Sequence, residues 1–431
     1  MTRDDRTLRR AAGAVAVGLG GVQLASLEDP RSKRGQKWPV ATLLRTMLVG
    51  LLSGMRSLKE TERLSDDLGC AMRRKLRITR RVPDTTMREL VMRLPLGSVL
   101  PLLHGQIRAA GRKKQLAPVG LPCGVLAIDG KCATTDIDDG VYAQRQGDDR
   151  FSVRTMTCSL VSAAGAPVIH LTPVPRETNE MGVFQSVLRE VIEVYGSGEL
   201  FGLVSGDAGM TGRENAGFIH HELKLGYLLA LKANQPDLFD EAMHLLGGQP
   251  HALAQAHTRE RLGSKRHIRR VWLASADAGV NEWDHARTFV RVQYEITTSD
   301  GKVLSTFDRY FISNEKPGRF TPDQWLAVVR MHWRVENDDH KTLDVVLGED
   351  DHPWIRDPRG MLVLQVLRRI ACNALNALRL ITLKPKTTTG VRPRFTEWSR
   401  LLGSLRRALL AALDHHLEGL RWPPEIAAAL P

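Results

Sequence analysis

Leu200-Phe201-Gly202-Leu203-Val204-Ser205-Gly206-Asp207 is an apolar run that ends on a carboxylate, and Gly124-Val125-Leu126-Ala127-Ile128-Asp129 is a second one. Each is short, bounded by glycine and rich in branched residues, so each reads as a buried strand that delivers an acid at its end. A carboxylate in that place can reach a metal ion. It is also where an ordinary aspartate caps a turn or a following helix, so neither run decides a function alone.

The segments around these runs set the expected topology. Residues 154–163 and 167–173 are β-rich and are joined by Ala164-Gly165-Ala166, which reads as a hairpin. A helical stretch over 180–195 precedes the run ending at Asp207, a helix around 213–222 follows it, and Tyr227-Leu228-Leu229-Ala230-Leu231 reads as another strand. Three strands, helix, strand, helix, strand is the order of a ribonuclease-H-like α/β core. In that order the first and fourth strands are sheet neighbours, which would bring Asp129 and Asp207 side by side.

Beyond Leu231 the expected core is interrupted. Arg259, Arg261, Lys265, Arg266, Arg269 and Arg270 precede Val271-Trp272-Leu273, and residues 288–297 and 306–313 read as strands, giving a β-rich insertion at about 250–315. Thr321-Pro322 then starts a long amphipathic helix, expected to run through Trp333 and Glu336 towards Leu343. The catalytic domain is thus expected over 120–380. Residues 1–115 read as a helical N-terminal domain, and 381–431 as a helical C-terminal tail, with a linker-like 384–390 before a helix over 396–416. No internal repeat is evident.

Within the helical N-terminal part, Arg73, Arg74, Lys75, Arg77, Arg80 and Arg81 place six cations in nine residues without an acid. Pro83-Asp84-Thr85-Thr86 then begins a short helix. The pair resembles one half of a helix-turn-helix, and equally a solvated basic loop before an ordinary helix. The whole chain of 431 residues carries 61 Lys and Arg against 48 Asp and Glu, a net charge of +13, so its long-range field favours a polyanion.

The five cysteines are scattered and odd in number, which argues against a disulfide framework or a zinc ribbon. Arg6, Arg9 and Arg10 before a short apolar stretch superficially resemble a secretory leader, but no Ala-x-Ala cleavage site follows. No run reaches the roughly 20 apolar residues of a membrane span. The expectation is a cytoplasmic protein without a membrane partner.

Glu336, His340 and Asp344 fall at i, i+4 and i+8 of the late helix. One acid from that stripe beside Asp129 and Asp207 would complete a three-carboxylate site, whose all-oxygen donors suit Mg²⁺, with Mn²⁺ as substitute. Two such ions roughly 3.5 to 4 Å apart serve in-line displacement at phosphorus. His332 and His340, eight residues apart, lack a third nitrogen or sulfur ligand at recognisable spacing, which disfavours zinc there.

Several motifs then resemble one known family. Asp129-Gly130-Lys131, Arg176-Glu177-Thr178-Asn179-Glu180, Gly206-Asp207-Ala208, residues 227–235 and His332-Trp333-Arg334-Val335-Glu336-Asn337 look like DDE transposases of bacterial insertion sequences, ISAs type, which includes the H-repeat-associated proteins. The resemblance continues through His340, Leu343-Asp344-Val345 and Glu349-Asp350, and covers most of the chain in order. It implies Asp129, Asp207 and Glu336 as catalytic, metal-holding acids, and strand cleavage at transposon ends followed by strand transfer into target DNA. The implied partners are double-stranded DNA, as terminal inverted repeats and target, and other copies of the chain on DNA. By the same resemblance Lys131, Lys232, Asn234 and Gln235 would lie near the site and contact DNA, an ordinary surface or turn role being the alternative. Cys132-Ala133 and Gly209-Met210-Thr211-Gly212 depart from the family's usual continuation, as do His332 and Leu343 from the Arg and Lys of the broader pattern. A metal-dependent nuclease or resolvase on the same fold and a DNA-binding descendant without transposition activity are the alternative functions.

Overall fold

The computed structural model describes residues 19–147, 149–276 and 283–382, together with Gly403 and Arg406. The leader-like start, the linker at 384–390 and most of the expected 396–416 helix lie outside the described residues.

The fold is mixed α/β, with one large central sheet flanked by helices. Its centre is three parallel strands, β1 (Val125–Thr135), β5 (Leu203–Gly206) and β6 (Gly226–Leu231). Parallel strands are stable only when both faces are covered, and alternate residues here serve opposite faces. Leu126, Ile128, Val204 and Leu229 pack under α6 (Glu180–Tyr195), against Phe184, Val187, Leu188 and Val191. Val125, Ala127, Leu203 and Leu228 pack under α9 (Pro322–His332), against Trp325, Leu326, Val328 and Val329. Asn179 caps α6 by accepting from Gly182 N, and Thr321 with Gln324 forms a capping box on α9.

On one side β1 pairs antiparallel with β3 (Phe151–Leu160), which carries β2 (Ala143–Arg145) and β4 (Val168–Pro173) on its other edge. On the far side β6 pairs antiparallel with β10 (Val303–Ser313), followed by β9 (Thr288–Thr298), β8 (Lys265–Ser275) and β7 (Ala256–Leu262). The β-rich segment read as an insertion therefore extends the central sheet: Tyr310 lies opposite Leu231, and Ser313 opposite Leu228.

Helices α1 (Val40–Ser53), α2 (Leu58–Asp67), α3 (Cys70–Leu76), α4 (Asp84–Arg93) and α5 (Leu96–Arg112) form the N-terminal part. Their core, with Leu43, Met47, Leu90 and Leu103, is continuous with Val363, Leu364, Leu367 and Ile370 of α11 (Pro358–Thr382). Gln106 donates to the Ile370 carbonyl, and Asn373 bridges Gln106 and the Val168 backbone, so the N-terminal helices, α11 and the sheet are joined by buried hydrogen bonds. No single helix among the described residues is long and apolar enough to cross a membrane.

Two elements differ from the sequence expectation. β1 does not stop at Asp129. It leaves β5 after Ile128 but continues along β3 to Thr135, because the outer half of β1 needs only one partner strand. The long helix after Thr321 is also broken. α9 ends at His332, a π turn covers Val335–His340, and α10 (Lys341–Val345) follows. A π turn closes i→i+5 rather than i→i+4, so the Glu336, His340, Asp344 stripe is not kept: Glu336 is exposed while His340 is buried.

Candidate active site

Ile128 lies opposite Gly206 in the parallel register, so the next residues, Asp129 and Asp207, occupy equivalent places on adjacent strands. Neighbouring strands are roughly 4.8 Å apart, which fixes the two aspartates as neighbours. Backbone amides orient each one. Asp129 Oδ1 accepts from Gly130 N at 2.9 Å, and Asp207 caps the 3₁₀ turn Ala208–Met210 by accepting from Met210 N at 3.2 Å.

A further acid, not singled out in the sequence as a site residue, joins them from the α6 side. Glu180 is the first residue of α6, and a Cβ built on Gly130 would stand 2.1 Å from its Oε1 and 2.8 Å from its Oε2. Only a glycine next to Asp129 leaves the notch in which this carboxylate lies. The sequence signal was there, a glycine interrupting a buried strand directly after an acid.

Glu336 comes from the α9 side on the π turn, which is anchored on either side of it. Arg334 donates to the carbonyls of Val161, Ala163 and Ala164, and the fully buried Asp339 accepts from Ser159 Oγ at 2.7 Å. Next to Glu336, Trp333 is 37% exposed, with the Arg309 guanidinium 3.8 Å above its ring.

The electrostatics reflect this convergence. Burial, then the charges of Asp207, Glu180 and Glu336, push the Asp129 carboxyl up to about 7, against the Gly130 hydrogen bond that favours its ionised form. Burial and Asp207 likewise raise Glu180, with Arg154 opposing them. Below the pair, His332 Nδ1 meets Ser205 Oγ at 3.1 Å, and burial pushes this imidazole down to about 4. His340 Nδ1 stands 3.6 Å from Asp129 Oδ2 and burial lowers it to about 3. Both rings are therefore neutral at pH 7 and add no positive charge to the cluster, which faces Arg154 at Glu180 and Arg309 at Glu336.

Lys131, expected at phosphate, is 7% exposed, and its ammonium is held by Asp344 at 2.6 Å, Asp350 at 3.4 Å and Glu349 at 3.9 Å. Asn234 donates to the Ala208 carbonyl and Gln235 to that of Thr211, so both brace the loop that follows Asp207. Lys232 is exposed just beyond β6. In the basic run, which is half helix and half connection, Arg73 donates to the Asp66 and Leu68 carbonyls, Arg81 pairs with Glu62, and Arg80 lies over Trp38. Arg74 and Arg77 are exposed, Arg77 ending α3 at φ 50°, and Lys75 lies on the same helix.

No protein-family model matches the chain, and no curated protein matches it significantly. Among solved structures, a cryo-EM structure of the piggyBac transposase synaptic complex with hairpin DNA matches 95% of this chain and 83% of that one, at 11% identity and a TM-score of 0.39. A likeness that distant carries no argument, and the functional reading rests on the site itself.

Proposed function

We propose that the chain is a DNA transposase of the DDE type, with a ribonuclease-H-like core, that cleaves strands at insertion-sequence ends and transfers them into target DNA. The observation that carries this reading is the pair Asp129 and Asp207 on adjacent parallel strands, with Glu180 and Glu336 brought to the same place from opposite faces of the sheet. Repulsion among four carboxylates is costly without a counter-ion, and an all-oxygen donor set with a Gly130 cradle fits Mg²⁺ or Mn²⁺. Bound there by Asp129, Asp207 and Glu336, such ions would activate the attacking oxygen and stabilise the leaving oxygen of a phosphoryl transfer.

The protein's own groups do the positioning. Gly130 N and Met210 N aim the two aspartates, the Asn234 and Gln235 amides hold the loop beyond Asp207, and the neutral His332 and His340 exclude solvent behind the cluster. Trp333 with Arg309 above it offers an exposed stacking face for an unpaired base beside Glu336. The net charge of +13 supports DNA as the polyanion.

The deciding experiment incubates purified protein and Mg²⁺ with a duplex that carries the DNA immediately flanking the gene, alongside a target plasmid. Nicked ends and joined products are expected. Cleavage without joining would move the function to a nuclease or resolvase, and no metal-dependent cleavage would defeat the reading.

Two further results follow from the geometry. Glu180→Gln is expected to lower strand cleavage by about 10- to 100-fold, the scale for groups that support metal-holding residues, and Gly130→Ala to do the same by displacing Glu180. Steady-state cleavage rates for both check this, and wild-type rates in both would remove Glu180 from the site. Neutralising the exposed Arg74 and Arg77 should weaken DNA binding and reduce the log–log salt slope by about 0.9 for each lost phosphate contact, measured by fluorescence anisotropy across a salt series. An unchanged slope would return α3 to the role of a solvated basic surface.

A further inference from the structure

At the other end of the parallel strands lies a cluster of a different chemical kind. His221 stands in the π turn Phe218–Glu222 that leads into β6, and Asp284 and His285 stand just before β9. Asp207 is level with Ala230, four residues along β6 from its start at Gly226, so at about 3.3 Å per residue this end lies on the order of 13 Å from the carboxylates. One ligand atom from each of His221, Asp284 and His285 lies within 4.8 Å of the other two. His285 Nδ1 is 3.2 Å from Asp284 Oδ1, and His221 Nε2 is 3.9 Å from the same oxygen. Donors held about 2.0 to 2.2 Å from a tetrahedral ion are themselves about 3.3 to 3.5 Å apart, so small side-chain adjustments bring all three into range.

The His285 ring is set by its surroundings. Its side chain is 3% exposed, stacked on Trp283 with centroids 5.9 Å apart and edge-on to Tyr227 at 5.5 Å. Its Nδ1 faces Asp284, the Ala216 backbone lies close enough to favour its protonated form, and the neighbouring Tyr227 hydroxyl is buried without a hydrogen-bond partner, an uncommon feature in a folded interior. His220 borders the group: its ring lies 4.8 Å from that of His221 and 5.3 Å from that of His285, and Asn314 Nδ2 engages its Nδ1 at 2.9 Å.

We propose that His221, Asp284 and His285 form a second metal site, for a borderline transition ion of the zinc class, with water in the fourth position. Two imidazoles and one carboxylate favour such an ion over Mg²⁺, which prefers an oxygen shell. The ion ties the segment before β9 to the turn before β6, residues 64 positions apart in the chain, and so couples the outer strands of the sheet to its parallel centre. Because the ligands meet only in the folded chain, binding stabilises the native state by mass action. This site does not depend on the transposase reading.

The test uses untagged full-length protein stripped with chelator, to which Zn²⁺, Co²⁺ or Mg²⁺ is returned. The expected results are a rise in thermal midpoint with Zn²⁺ and a tetrahedral Co²⁺ absorption spectrum, neither reproduced by Mg²⁺. Since His285 is buried and its replacement can unfold the region, the variants are the exposed His221→Ala and Asp284→Ala, each expected to weaken Zn²⁺ by at least about tenfold. Asp129→Asn serves as a control that disrupts only the carboxylate site and should leave the Co²⁺ spectrum intact. Zn²⁺ that shifts wild type and His221→Ala equally, or a Co²⁺ spectrum lost in Asp129→Asn but kept in Asp284→Ala, would overturn the assignment.

Discussion

Asp129→Asn and Asp207→Asn, made singly, are expected to lower metal-dependent strand cleavage by at least about 10²- to 10³-fold, the scale for removing one preorganised electrostatic group, and Asp129→Asn is also expected to raise the thermal midpoint of the metal-free protein. The second half follows from the charge balance. Burial and three neighbouring acids lift the Asp129 carboxyl from 3.8 to about 7, so the folded chain binds this proton more tightly than the unfolded chain does. Stability linked to such a group is greatest in acid and is lost as pH rises from about 4 to about 7. At pH 8 an amide at 129 removes that penalty, and near pH 4, where the carboxyl is protonated in the folded state, the advantage disappears. Mg²⁺ should stabilise the wild type and not the variant. Melting curves at pH 4, 6 and 8 with and without Mg²⁺, alongside cleavage assays, test both halves. An Asn variant that melts lower at pH 8 in chelator would make Asp129 a structural residue, and one with normal cleavage would remove it from the chemistry.

The parts of the molecule legible in its sequence are those governed by local pattern. The helical pattern delimited Glu180–Tyr195, and the apolar runs located β6 within one residue and β5 within three. The missing parts depend on contacts distant in the chain. Nothing local says that Tyr310 will pair with Leu231, so β7 to β10 read as an insertion although they extend the central sheet. The π turn at Val335–His340 was hidden because the residues around it keep an amphipathic pattern, while the insertion of a wider turn is imposed by Arg334 and Asp339 docking on β3 and its hairpin. Lys131 was expected near the site in contact with DNA, or in an ordinary surface role. Its three carboxylate partners come from residues more than 200 positions away. Glu180 acquires its place beside Asp129 only through the glycine at 130, whose missing side chain leaves room for the carboxylate.

The same π turn favours Glu336 over Asp344 as the third acid of the proposed site. Both are on the segment after α9, but the π turn takes them off one helical stripe, so they meet different neighbours. Glu336 is exposed and close enough to Asp129 to raise its carboxyl, whereas Asp344 is paired with Lys131 at 2.6 Å and makes no such contribution. Glu336→Gln is therefore expected to reduce cleavage by at least about 10²-fold with little change in melting temperature, since it removes an exposed charge from a turn anchored elsewhere. Asp344→Asn should retain cleavage within about tenfold of wild type and lose on the order of 1 kcal/mol of stability, because Lys131 keeps Asp350 and Glu349 when one partly exposed pair is broken. Cleavage by the two folded variants on one end-containing duplex separates the roles. If Asp344→Asn is dead and Glu336→Gln active, the third acid is Asp344, and Lys131 then serves to hold a catalytic carboxylate.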